Sequence, residues 1–165
     1  MKIGEIHTLF DYNYWANQRI LTTCAKVTHD QYLASGTFPY ISLRGTLIHI
    51  LDAEQIWRVR CQQAAEASEI TELEFPTLSA LVALWRKEES AMRTYLASLI
   101  DSDLATFVGY KAGNGEPRSR VLWHILIHIL IHGSQHRSEA AAILTSFKQS
   151  PGDIDFTMYL NTKSL

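Results

Sequence analysis

Apolar residues recur at helical spacing in four long stretches of the chain, and polar or glycine- and proline-bearing breaks separate them. Ile6, Leu9, Phe10, Ile20 and Leu21 mark the stripe of a first helix predicted over Ile3 to Val27, with Asn13 and Asn17 as polar members of the same face. Thr28-His29-Asp30-Gln31 has the form of a capping box and predicts one short extra turn through Leu33. Ser42 then stands as the N-cap of a second helix that reaches about Ala65, its apolar face carried by Leu47, Ile48, Leu51, Ile56 and Trp57. The third helix follows Thr77 and runs to about Ile100. Leu78, Leu81, Leu84, Trp85, Met92, Tyr95 and Leu99 point inward, and Arg86, Lys87, Glu88 and Glu89 outward. Residues 101–118 lack a helical period; Thr106 to Tyr110 suits a short strand and 111–117 are turn formers, so a loop or irregular hairpin is expected there. Ser119 is placed as the cap of a fourth helix running to about Lys148, which Pro151-Gly152 ends. The tail 153–160 is apolar enough to fold back on the rest.

Four helices with one apolar face each are satisfied most simply by a bundle around one core, so the chain is expected to be all-α and a single domain over 1–165. With 47% hydrophobic and 19% charged residues it has a globular rather than a disordered composition. A net charge of −2 leaves no basic surplus for a phosphate backbone, which argues against nucleic acid as a partner. Glu5, His7 and Asp11 interrupt any apolar leader, and the longest apolar run, 121–131, is broken by His124 and His128 and too short to span a bilayer. Cys24 and Cys61 make no disulfide framework and are read as reduced thiols, which points to a cytoplasmic protein.

The candidate chemistry lies in the histidines. His7 and His29 sit in polar surroundings and are given no role. His124, His128, His132 and His136 follow one another at four-residue steps on the fourth helix. Each step turns a helix by about 400°, so neighbours share a face while the column drifts by roughly 40° per step. Two imidazoles at i, i+4 can hold one ion if a third ligand comes from another helix, and His49 is the one histidine well inside any of the first three. Of the three possible pairs, 132/136 is favoured. The apolar stretch 121–131 is expected to be buried on most sides, whereas the chain turns polar from His132 onward, at one end of the core, where a metal could meet solvent. His124 and His128 are then expected to be core residues or supports for the ligands. The plainer alternative is a set of buried histidines bonded to neighbours. It requires a polar partner for every imidazole, each unpaired one costing about 1–3 kcal/mol, where one ion would satisfy three.

Several segments together resemble the DinB (damage-inducible) family. His128-Ile129-Leu130-Ile131-His132-Gly133-Ser134-Gln135-His136-Arg137 is similar to its last-helix motif, and His49 to Trp57, followed by Arg60, to its second-helix motif. Tyr14-Trp15-Ala16-Asn17 and Pro151 to Asp155 resemble its first-helix and C-terminal signatures. The resemblance implies a bundle in up-down-down-up order with a long crossover, where simple alternation would otherwise be the default, usually paired as a homodimer. It implies one divalent ion, zinc or nickel, on His49, His132 and His136. Ile131, Ser138 and Glu139 depart from the family pattern, which has Asn, Gly and Gln there, and none removes a ligand.

Three neutral imidazoles leave an ion's full charge to generate a nucleophile, so the expectation is a metal-dependent hydrolase or a transferase that delivers a low-molecular-weight thiol to a small electrophile. Asp52 and Glu139 are the candidates for a catalytic base. The alternative is a non-catalytic metal-binding stress or interaction protein. A di-iron carboxylate bundle needs Glu-x-x-His motifs, and the chain contains none.

Overall fold

The computed structural model describes residues 1–64 and 69–163. Its elements are α1 (Ile3–Cys24), α2 (His29–Leu33), α3 (Leu43–Cys61), α4 (Leu78–Ala97), β1 (Phe107–Lys111), β2 (Pro117–Val121), α5 (Leu122–Ser146) and α6 (Phe156–Asn161), with 3-10 turns at Glu72–Glu74 and Asp103–Ala105. The capping box forms as its sequence dictates: the Thr28 hydroxyl accepts from the Gln31 amide, and the Gln31 side chain accepts from the Thr28 amide. Ser42 and Thr77 cap α3 and α4 more simply, their hydroxyls accepting from the Gly45 and Ala80 amides with no reciprocal bond. The irregular segment is a two-stranded antiparallel hairpin with Gly109 opposite Ser119. Ser119 therefore lies in β2 and does not cap the last helix. The chain turns into α5 at Val121, which offers no side-chain cap. The expected end of the second helix at Ala65 lies outside the described residues; α3 closes at Cys61.

Four helices form the bundle, with α1 and α3 on one diagonal and α4 and α5 on the other. Their directions follow from the core. One apolar cluster joins Ile6 and Phe10 of α1 to Met92 and Leu96 near the end of α4, and to Ile125 and Leu126 near the start of α5. The other joins Ile20 and Leu21 to Leu43, Leu47 and Leu51 of α3, Leu81 and Trp85 of α4, and Ala140 and Leu144 of α5. Thus α1 and α5 run one way and α3 and α4 the other, and the connection from α3 to α4 travels the length of the bundle. The order is up-down-down-up. Tyr159 of α6 is buried, and Tyr12 lies against both Phe156 and Tyr159, so the tail does return to α1.

Between the two apolar clusters lies a buried polar layer. Asn13 and Asn17 accept from the Arg137 guanidinium, and Glu54 accepts from the Tyr14 hydroxyl at 2.8 Å and the Asn13 amide at 3.3 Å. Arg58 grips Glu88 with two hydrogen bonds of 2.5 and 2.7 Å. Glu88 was expected on the wet side of its helix and is instead 3% exposed. Its neighbours Arg86 and Lys87 are solvated, so the apolar stripe of α4 continues through Glu88 only because Arg58 neutralises it.

Candidate metal centre

His49 reaches the flank of the bundle from α3, and His132 and His136 meet it from α5 at successive turns of one face. One ring nitrogen from each comes within 4.8 Å of the others. The Nε2 atoms of His49 and His132 are 2.9 Å apart, an arrangement that sets lone pair against lone pair unless one nitrogen carries a proton or a cation takes both. Nδ1 of His136 donates to Glu139 at 2.7 Å, which puts the ring proton there and leaves its Nε2 bare. A tetrahedral zinc ion with Zn–N of about 2.0–2.1 Å spaces its nitrogens roughly 3.3 Å apart, so small side-chain adjustments suffice for these three rings to hold one ion.

Electrostatics favour the ligand form. Burial, reinforced by the neighbouring imidazole of His136, lowers the pKa of His49 to about 4; burial and the adjacent histidines lower His132 to about 4 as well. Both are neutral at pH 7 with their lone pairs available. His49 and His132 are half-buried and His136 is buried, so the cluster meets solvent on one side.

Tyr40, which the sequence does not single out, completes the surroundings. Its ring stacks on His49 at 3.6 Å between centroids and meets His136 edge-on at 5.2 Å. The loop that carries it passes so close to α3 that a Cβ on Gly45 would lie 2.2 Å from the Tyr40 carbonyl oxygen. Ile41 takes a left-handed φ of 63°, uncommon for a β-branched residue, to turn the chain from Tyr40 into the Ser42 cap. An isolated glycine in the first turn of a helix, Gly45, is the one sequence signal that could have pointed to this close approach, and the sequence reading passes over it.

The other expectations for the site divide. Glu139 lies beside the cluster and is bonded to His136. Asp52 accepts from the Ile70 amide at 2.9 Å and so anchors the α3–α4 connection. His124 and His128 are exposed rather than core residues, and the stretch 121–131 is not buried on most sides: Trp123 and Ile131 also face outward. This helix carries more apolar surface than one face of a bundle can cover. His128 stays within reach of the cluster, its ring 5.8 Å from that of His132. The cluster itself sits on the flank of the bundle, between Ile129 of one apolar group and Ala140 of the other, and not at an end of the core.

Comparison with known proteins agrees with this architecture. A DinB-like protein from Bacillus cereus ATCC 10987, known from its crystal structure, superimposes with a TM-score of 0.74 at 15% identity, over 92% of this chain and 97% of that one. No curated protein matches the chain. The model of the DinB family matches residues 2–163, and the chain belongs to that family.

Proposed function

We propose that the protein is a metal-dependent enzyme whose His49, His132 and His136 hold one divalent ion, zinc or nickel, for hydrolysis or for transfer of a low-molecular-weight thiol to a small electrophile. One observation carries this proposal: three imidazole nitrogens converge with no carboxylate among them in the described residues, on a side that solvent reaches. When bound, an ion on such a set keeps its full charge and supplies Lewis acidity that lowers the pKa of a water or thiol to the neutral range. The protein's own contribution is positional. Glu139 fixes the tautomer of His136, Tyr40 holds the ring of His49, and burial keeps His49 and His132 unprotonated. Glu139 and Asp52 both have structural partners, and neither is assigned as a base. Elemental analysis of protein purified without added metal should give one equivalent of zinc or nickel, lost in His132→Ala. Turnover in a panel of thiol–electrophile pairs and activated esters should follow the metal. A full metal complement with no turnover would favour the non-catalytic reading, in which the ion only stabilises the bundle.

Pairing into a homodimer belongs to the same proposal. Trp123, Ile127 and Ile131 follow one another at four-residue steps along α5, and Trp123 is 37% and Ile131 63% exposed. The tryptophans Trp15, Trp57 and Trp85 are engaged within the chain: Trp85 is buried, Trp57 lies against Tyr110, and Trp15 against Tyr159. Sedimentation should show a dimer that Ile131→Glu dissociates; a wild-type monomer at micromolar concentration would remove the idea. No described helix is long and apolar enough to cross a membrane. Two buried free cysteines support a cytoplasmic location.

A further inference from the structure

One turn of α5 before His132, the histidine column leads into a cavity of about 290 Å³ lined by Trp57, Tyr110, Arg120, His124, Ile125 and His128. Its walls are mostly flat rings. Trp57 meets Tyr110 at 5.0 Å and His128 at 5.1 Å, both edge-on. The Arg60 guanidinium, outside the cavity lining, lies 4.7 Å from the Trp57 ring centre and 5.2 Å from that of Tyr110, which braces this pair. Among the described residues no carboxylate lines the cavity, although the chain as a whole is acidic. The charge it presents is Arg120. Arg118, two residues earlier, is neutralised by Glu116 at 2.5 Å, whereas Arg120 bonds only the Ser119 carbonyl, at 2.8 Å, and has no carboxylate partner among the described residues.

We propose that this cavity is the substrate subsite of the metal centre and that it takes a small carboxylate on a flat, apolar skeleton. The carboxylate lies on Arg120, the skeleton between the rings of Trp57 and Tyr110, and the reacting end points past His128 toward His132. A single guanidinium matches one carboxylate through two parallel hydrogen bonds, while aromatic walls select a flat body. Along α5, His132 lies ten residues beyond the helix start that follows Arg120, about 15 Å, part of which the Arg120 side chain itself spans, and this suits a small aromatic or unsaturated acid rather than a polymer.

The substrate role rests on the metal centre proposed above, but the binding does not, so the two can fail separately. Benzoate and its neutral isostere benzamide would be titrated into metal-free and zinc-loaded protein, with the indole N–H resonance of Trp57, assigned through Trp57→Phe, as the readout. Benzoate should shift that resonance in both forms and bind at least tenfold more tightly than benzamide. Arg120→Gln, at an exposed strand position, should keep the helical circular dichroism and zinc content and cut benzoate affinity about tenfold while leaving benzamide unchanged. Benzoate binding that is equal in wild type and Arg120→Gln, or present only with zinc, would overturn the assignment and leave the metal site intact. Phenyl phosphate binding ten times more tightly than benzoate would overturn the choice of carboxylate. Loss of zinc binding with Arg120-dependent benzoate binding retained would sink the metal centre and keep the acid-binding cavity.

Discussion

Glu139 shows how one atom fixes the character of a site. By accepting from Nδ1 of His136 it chooses which nitrogen faces the cluster and makes that nitrogen a stronger donor. Glu139→Ala should weaken zinc affinity by about 10–100-fold, as loss of such a support typically does, measured by competition with a chromophoric chelator. Glu139→Gln keeps an acceptor in place and should lose clearly less. Gly45 acts through space rather than charge. In Gly45→Ala the new methyl would overlap the Tyr40 carbonyl, so the loop must lift and its ring must leave His49. Overpacking of this kind costs about 1–3 kcal/mol, and the better helix propensity of alanine returns only about 1. Urea denaturation should show a net loss, and zinc affinity should fall with it. A variant as stable as wild type would mean that the loop has room the geometry does not show.

At the scale of elements, the helices were legible because their stripes follow the period of 3.6 residues, and the four-step histidine column was legible for the same reason. What stayed hidden was whatever depends on pairing between helices. Glu88 reads as surface in its own helix, and only Arg58 on α3 makes it interior. Ser119 has the chemistry of a cap, yet hairpin register puts it in a strand opposite Gly109. Tyr40 comes from a loop, where no period applies. The apolar run 121–131 misled in the other direction, since hydrophobicity alone does not tell core from exposed face. The hidden pair makes a sharp prediction. Glu88→Ala leaves the mostly buried Arg58 without its counter-charge and should cost about 3–5 kcal/mol in chemical denaturation. Adding Arg58→Met should recover much of that loss, because the unpaired charge, not the missing bridge, carries most of the penalty. Strict additivity of the two losses would refute this account of the layer.

For the molecule as a whole, the polar layer and the histidine cluster pull in opposite directions with pH. His49 and His132 have folded pKa values of about 4 against an ordinary 6.5, lowered first by burial. In the metal-free protein their contribution is complete above pH 6.5 and is lost as pH falls toward 4, because the unfolded chain takes up their protons first. Glu54 behaves in reverse. Full burial raises its pKa from 4.5 to about 7, against the opposing pull of its bonds to Tyr14 and Asn13 and of the Arg137 charge. The folded state prefers the neutral acid, so this contribution is complete below pH 4.5 and disappears as pH rises through 7. Between pH 4.5 and 6.5 the two trends offset each other, and metal-free wild type should show a shallow stability profile there. Glu54→Gln removes one of them: its unfolding free energy should fall more steeply than that of wild type from pH 6.5 to 4.5. Relative to wild type, the variant should gain stability as pH rises from 4.5 to 7. The histidines are half-exposed, so solvent screening mutes their share, and the difference between variant and wild type is the cleaner measure. Parallel profiles for the two proteins would mean that Glu54 is ionised throughout, held by Arg137 despite its burial.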